Sequence, residues 1–175
     1  VEQFERVVMT QKYADQASAF KAACDSFNIK PLPVVIDRLI GVWNKNRLLA
    51  KPYDDTESTL EQLKERGVVL ALVSNALEGN IRPVLERYDL LKFFDGVFLS
   101  YEHSKLKSES LFTLAREKLE LKEDGVLVVG DSLESDIRGA KSVGLKAVLL
   151  DRKDRREFEP KITRLSDVLS LLEVQ

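Results

Sequence analysis

The sequence predicts an α/β fold, a parallel β-sheet with helices on both faces, preceded by a helical subdomain. Three observations carry this prediction. Residues 1–49 show helical periodicity and nothing else; from Tyr53 onward, helical stretches alternate with short apolar runs; and those runs are continuously apolar. Continuous runs mark strands covered on both faces, and strands separated by helices pair in parallel. A chain of 175 residues suits one domain with a small appendage. It is long enough to bury about 70% of its unfolded surface without disulfides.

The elements follow in order. Phe4, Val7, Val8, Ala14, Ala17, Phe20, Cys24 and Phe27 recur at helical spacing, so the reading is one long helix ending near Phe27. No N-cap precedes the pattern, so Val1 reads as a cut edge within a helix, and the natural protein is expected to be longer. Asn28 to Pro33 break the helix. A second begins near Pro33, since proline is tolerated in a first turn, and runs to about Leu49 with Ile36, Leu39, Ile40 and Trp43 inward. Lys51-Pro52-Tyr53 ends this hairpin, because a residue before proline is pushed out of helical geometry. The expected division is therefore a helical subdomain over 1–52 and an α/β core over 53–175.

In the core, Asp54 or Asp55 can cap a helix running through Arg66, with Gly67 as its stop. The predicted strands are Val68 to Val73, Gly96 to Leu99, Val126 to Val129 and Ala147 to Leu150. Helices are expected near Leu77–Tyr88, Ser108–Leu119 and Glu134–Val143, with a last short one over Leu165 to Leu172.

Composition excludes several kinds of chemistry. Lys and Arg number 27 against 29 Asp and Glu, a net charge of −2 that offers no basic footprint for nucleic acid or anionic membranes. One Cys and one His rule out disulfide frameworks and Cys/His zinc sites. Neither G-x-x-x-x-G-K-[ST] nor G-x-G-x-x-G occurs, which argues against a generic nucleotide-binding domain, and no apolar run could span a bilayer. A single thiol and no export signal point to the cytoplasm. Any chemistry must come from carboxylates, hydroxyls and lysines.

Ligands of parallel α/β sheets bind at the carboxyl ends of the strands, so the residues after each apolar run are the candidates. Ser74-Asn75 follow the first run; taken alone they read as a strand-end turn, with the option of holding a phosphoryl oxygen. Lys107 precedes a helix that Ser108 would cap, where the dipole disfavours a cation unless an anion sits there as well. Lys105 competes for that role. Asp131 and Asp136 flank one loop behind Gly130, and two hard oxygen ligands on a short loop suit Mg²⁺. Asp151-Arg152 follow the fourth run. His103 reads as a surface loop residue, Cys24 as core, and Trp43 as packing of the helical hairpin.

Taken together, these pieces resemble the haloacid dehalogenase-like (HAD) hydrolase superfamily over nearly the whole chain. "GVVLALVSNA" is similar to its second motif, "KLKSESLF" to its third, and "GVLVVGDSLESDIRGAKSVGLKAVLL" to its fourth and the strand that follows. The resemblance implies a Rossmann-like core with a helical (C1-type) cap. It implies that Ser74 binds the transferred phosphoryl group with Asn75 in support, and that Lys107, favoured over Lys105 by its spacing to Leu111-Phe112, neutralises nucleophile and phosphate. Asp131 would ligate Mg²⁺ and Asp136 complete or orient the metal shell. The acidic fourth motif resembles the phosphatase branch, whose substrate would be a small phosphorylated metabolite. The family's first motif, D-x-D after an apolar strand, supplies the nucleophile and is missing from this chain. Asp37, Asp151 and Asp54-Asp55 each lack the spacing or the strand. The two strands ending at Val73 and Val129 would then face each other across a gap. The alternative is a catalytically inactive relative that kept the fold as a binding or regulatory module.

Overall fold

A computed structural model of the chain describes residues 2–172; Val1 and residues 173–175, included in the expected divisions, lie outside the described residues. The chain forms two compact units, one of residues 1–51, 74–91 and 99–106, the other of residues 52–73, 92–98 and 107–175.

The first unit is helical. Its elements are α1 (Glu2–Met9), α2 (Gln16–Ser26) and α3 (Pro33–Leu49), with α5 (Arg82–Arg87) and α6 (Ser100–His103) contributed from later in the chain. The single long helix expected up to Phe27 is two helices. Asp15 interrupts it, its side chain accepting the Ser18 N–H at 2.7 Å and so capping α2. Cys24 is buried, and Trp43 packs on Phe20 and Phe4 with ring centroids 5.6 and 6.3 Å away. Leu39, expected inward, is 38% exposed, because the buried face of α3 runs along Ile36, Ile40 and Trp43. Residues 77–88 are helical only from Arg82. His103 ends the short α6 rather than sitting in a loop.

The second unit carries α4 (Thr56–Glu65), most of β1 (Ala71–Ser74) and β2 (Gly96–Leu99), and then α7 (Leu111–Lys118) and β3 (Leu127–Gly130). It continues with α8 (Gly139–Ser142), β4 (Lys146–Leu150), β5 (Lys161–Ile162) and α9 (Val168–Leu171). β4 pairs in parallel with β3 on one side and β5 on the other. β1 pairs with β2 in a separate two-stranded sheet. Among the described residues, then, the strands ending near Val73 and Val129 do not pair with each other. Side chains bridge them instead, as Val73 packs on the cluster of Phe112, Ile137, Ala147 and Leu149 that covers β3 and β4.

Asp55 stands at the start of α4 but does not cap it. Its carboxylate accepts the N–H groups of Leu165 at 2.6 Å and Ser166 at 3.3 Å, tying the C-terminal segment to α4. The helix expected over Glu134–Val143 opens with a wide turn over Leu133–Arg138, in which the Ile137 N–H reaches back five residues to the Ser132 carbonyl. Such single wide turns occur frequently at functional sites.

Gly139, where this turn passes into α8, permits a close approach. A Cβ there would lie 2.8 Å from the backbone carbonyl oxygen of Lys107. Gly139→Ala is expected to lower stability by about 1–3 kcal/mol, since backbone cannot give way as a side-chain tip can. Urea unfolding of the two proteins measures it.

Candidate functional site

Three of the residues singled out from the sequence lie in the second unit, at the carboxyl end of β3. Gly130 ends the strand, Asp131 follows with an exposed side chain, and Asp136 returns on the wide turn with its side chain 8% exposed. Asp136 Oδ1 accepts a hydrogen bond from Lys107 Nζ at 2.5 Å, and Oδ2 accepts the Ser132 N–H at 3.0 Å. The Lys107 side chain is 13% exposed, so the ion pair is largely removed from water. Gly130 makes room for it, since a Cβ there would fall 2.3 Å from Asp136 Cγ. Lys107 occupies the turn before α7, whose N-cap position is taken by Ser110 rather than Ser108.

Ser74 and Asn75 lie in the first unit, where β1 ends. Ser74 Oγ donates to the Asn75 carbonyl at 3.3 Å, and Asn75 Nδ2 donates to Glu5 Oε2 on α1 at 3.2 Å. The turn they begin is anchored by Ser100, which is fully buried and whose Oγ accepts the Ala76 N–H at 2.9 Å. Sequence reasoning passed over Ser100; the signal available was a hydroxyl directly after an apolar strand.

It also left Asp151 without a role. The carboxylate of Asp151, beyond the end of β4, accepts the N–H groups of Arg155 and Arg156, each at 2.7 Å. The Arg156 N–H above all holds this carboxyl below the usual carboxylate range. The turn so formed brings the Arg156 guanidinium to the Asp131 carbonyl, to which it donates. Arg152 stacks on Tyr53, 3.8 Å from the ring centroid, and ion-pairs with Asp55 at 3.0 Å. Burial pushes the Asp55 carboxyl up, but the Ser166 and Leu165 N–H groups and the Arg152 guanidinium outweigh it and leave it lowered.

For a divalent cation, the candidate donors would be the exposed Asp131 carboxylate and Asp136. Among the described residues no three His, Cys, Asp or Glu side chains gather into one group. Two carboxylates from one strand end nonetheless fit Mg²⁺, which completes its octahedron with water and phosphate oxygens rather than a protein cage. Replacing Asp136 by Asn would remove the charge that balances Lys107 in a poorly hydrated setting, and stability is expected to fall by about 3 kcal/mol. Asp131→Asn, on an exposed side chain, is expected to change stability by less than about 0.5 kcal/mol. Thermal unfolding of both variants separates the structural carboxylate from the exposed one.

Comparisons with known proteins match the fold of this chain. The chain is 38% identical over 104 residues to a ribulose-1,5-bisphosphate 5-phosphatase of Halopiger xanaduensis, covering 59% of this chain and 44% of that protein. It is 35% identical over 133 residues to a glyceraldehyde 3-phosphate phosphatase of Methanopyrus kandleri, covering 75% and 57%. The chain thus spans about half the length of these relatives. Among solved structures, a HAD phosphatase from Thermococcus onnurineus superposes with a TM-score of 0.67 at 25% identity, covering 85% of this chain and 84% of that one. The HAD-hydrolase YfnB from Bacillus subtilis, solved with magnesium bound, shares the fold at a TM-score of 0.72 and 18% identity, covering 90% and 71%. The model of the haloacid dehalogenase-like hydrolases matches residues 5–150, and the chain belongs to that family.

Proposed function

We propose that this chain holds most of the site of a Mg²⁺-dependent phosphohydrolase acting on a small phosphate ester through an aspartyl-phosphate intermediate. The observation that carries the reading is the Lys107–Asp136 pair at the carboxyl end of β3, with the exposed Asp131 carboxylate on the same strand end. The pairing fixes the Lys107 ammonium as a point charge where a parallel sheet binds its ligands.

Phosphoryl transfer depends mainly on positioning and electrostatics, and the residues divide accordingly. Lys107 holds positive charge against the equatorial oxygens and the attacking carboxylate. Ser74 and Asn75 donate a hydroxyl and an amide to phosphoryl oxygens without adding charge. Asp131 and Asp136 would hold Mg²⁺, which when bound supplies further charge neutralisation at the phosphoryl group. The nucleophile is an aspartate on a strand seated between β1 and β3, which among the described residues pair only with β2 and β4. That aspartate attacks phosphorus, the ester oxygen departs, and water then hydrolyses the acyl phosphate.

The relatives support a small phosphate ester as substrate, since their names include phosphatases of glyceraldehyde 3-phosphate, phosphoserine and phosphoglycolate. Residues 1–52 serve as the cap that selects the ester. The single thiol supports a cytoplasmic location.

The test begins with the intact mass and N-terminal sequence of the protein from its natural source, expected to reveal an upstream strand ending in D-x-D. Phosphate release from small esters by that protein should require Mg²⁺. Asp131→Asn and Lys107→Met should each lower kcat by about 100-fold or more. Turnover that survives both Asp131→Asn and chelation would remove the metal from the mechanism. Mg²⁺ binding without hydrolysis of any ester would favour the non-catalytic binding module.

A further inference from the structure

A cavity of about 490 Å³ opens at the carboxyl ends of β3 and β4, lined by Asp131 and by Tyr53, Asp151, Arg152, Lys153 and Arg156. Three cations therefore share one cavity with the proposed metal-binding carboxylate. We propose that this cavity receives a second anionic group of the substrate, so that the preferred esters carry a phosphate or carboxylate at the end remote from the scissile phosphate. This rests on the phosphohydrolase reading and narrows its substrate class.

The lining is built rather than incidental. Arg152 is fixed from two sides, by the Tyr53 ring at 3.8 Å and the Asp55 carboxylate at 3.0 Å, and its side chain is only 20% exposed. Arg156 is fixed by its hydrogen bond to the Asp131 carbonyl. A guanidinium offers five N–H donors in a planar fork, so one anchoring contact leaves donors for a bidentate anion. Anchoring also lowers the entropy lost on binding. Asp55 already balances Arg152, so the charge offered to an anion is chiefly that of Arg156 and Lys153. Asp151 is buried, and its carboxylate is turned to the backbone N–H groups of Arg155 and Arg156. Asp131 faces the cation proposed for it. Lys153 lies exposed at the rim and adds a third positive charge. An anion there gains charge-assisted hydrogen bonds that an uncharged substrate end cannot form.

Three ligands built on one three-carbon chain test this: propane-1,3-diol monophosphate, 3-(phosphonooxy)propanoate and propane-1,3-diol bisphosphate. Their affinities for the full protein are measured by calorimetry at constant ionic strength. The two doubly anionic ligands are expected to bind about tenfold or more tightly than the monophosphate. A preference for one over the other identifies the group as phosphate or carboxylate. Lys153→Glu and Arg156→Gln should each shrink that ratio, and the double variant should bring it near one. Lys153 is exposed, so its variant keeps the test valid should Arg156→Gln fold poorly. A wild-type ratio near one, or a ratio unchanged in both variants, overturns the proposal. Lys107→Met reports separately on the phosphohydrolase reading, which expects it to weaken all three ligands. If Lys107→Met leaves them all unchanged while Lys153→Glu still removes the preference, that reading fails and the cavity's anion preference stands.

Discussion

The pairing of Lys107 with Asp136 is the contact around which the end of β3 is arranged. Two opposite charges so poorly hydrated are tolerated only if they meet closely and their remaining polar groups find partners. The surrounding chain meets that demand. Gly130 leaves space for the carboxylate, the wide turn after Ser132 delivers it, and the Ser132 N–H satisfies its second oxygen. Gly139 lets the backbone at Lys107 approach closely enough for the ammonium to reach. Each local peculiarity of this strand end serves the same charge pair.

The fold class and the grouping of the candidate residues at the end of β3 were legible because both rest on local sequence. The strands announce themselves as apolar runs, since a strand covered on both faces has no polar side to show. Asp131 and Asp136 stand out because two carboxylates flank one short loop behind such a run. The rest depended on backbone geometry or on distant partners. Asp15 breaks the first helix without disturbing its apolar period, so the interruption was hidden. The register that makes residues 133–138 a wide turn leaves no mark on hydrophobic spacing. β5 is two residues long, too short for any pattern. Arg156 acquires its place only through the turn that Asp151 organises four and five residues before the N–H groups it binds.

The divided sheet explains why β1 and β3 carry such different neighbours. β3 is held by a parallel ladder to β4 and by the packing of Ile137 and Leu149, whereas β1 is held by β2 and by Val73 reaching the same apolar cluster. Backbone groups at a strand edge hydrogen-bond wherever they can.

The chain crosses between its two units at 51/52, 73/74, 91/92, 98/99 and 106/107. The helical unit is therefore interleaved rather than appended. Arg47 donates to the Gly79 carbonyl, Arg87 to that of Leu48, and the Tyr88 hydroxyl to that of Ala50, so the later segments are stitched to α3. Recombination that exchanged residues 1–51 alone would leave these later segments against an α3 they were not matched to. Sequence change in this unit should therefore proceed by substitution within the helices, with matching changes in residues 74–91, more readily than by wholesale replacement of the N-terminal segment.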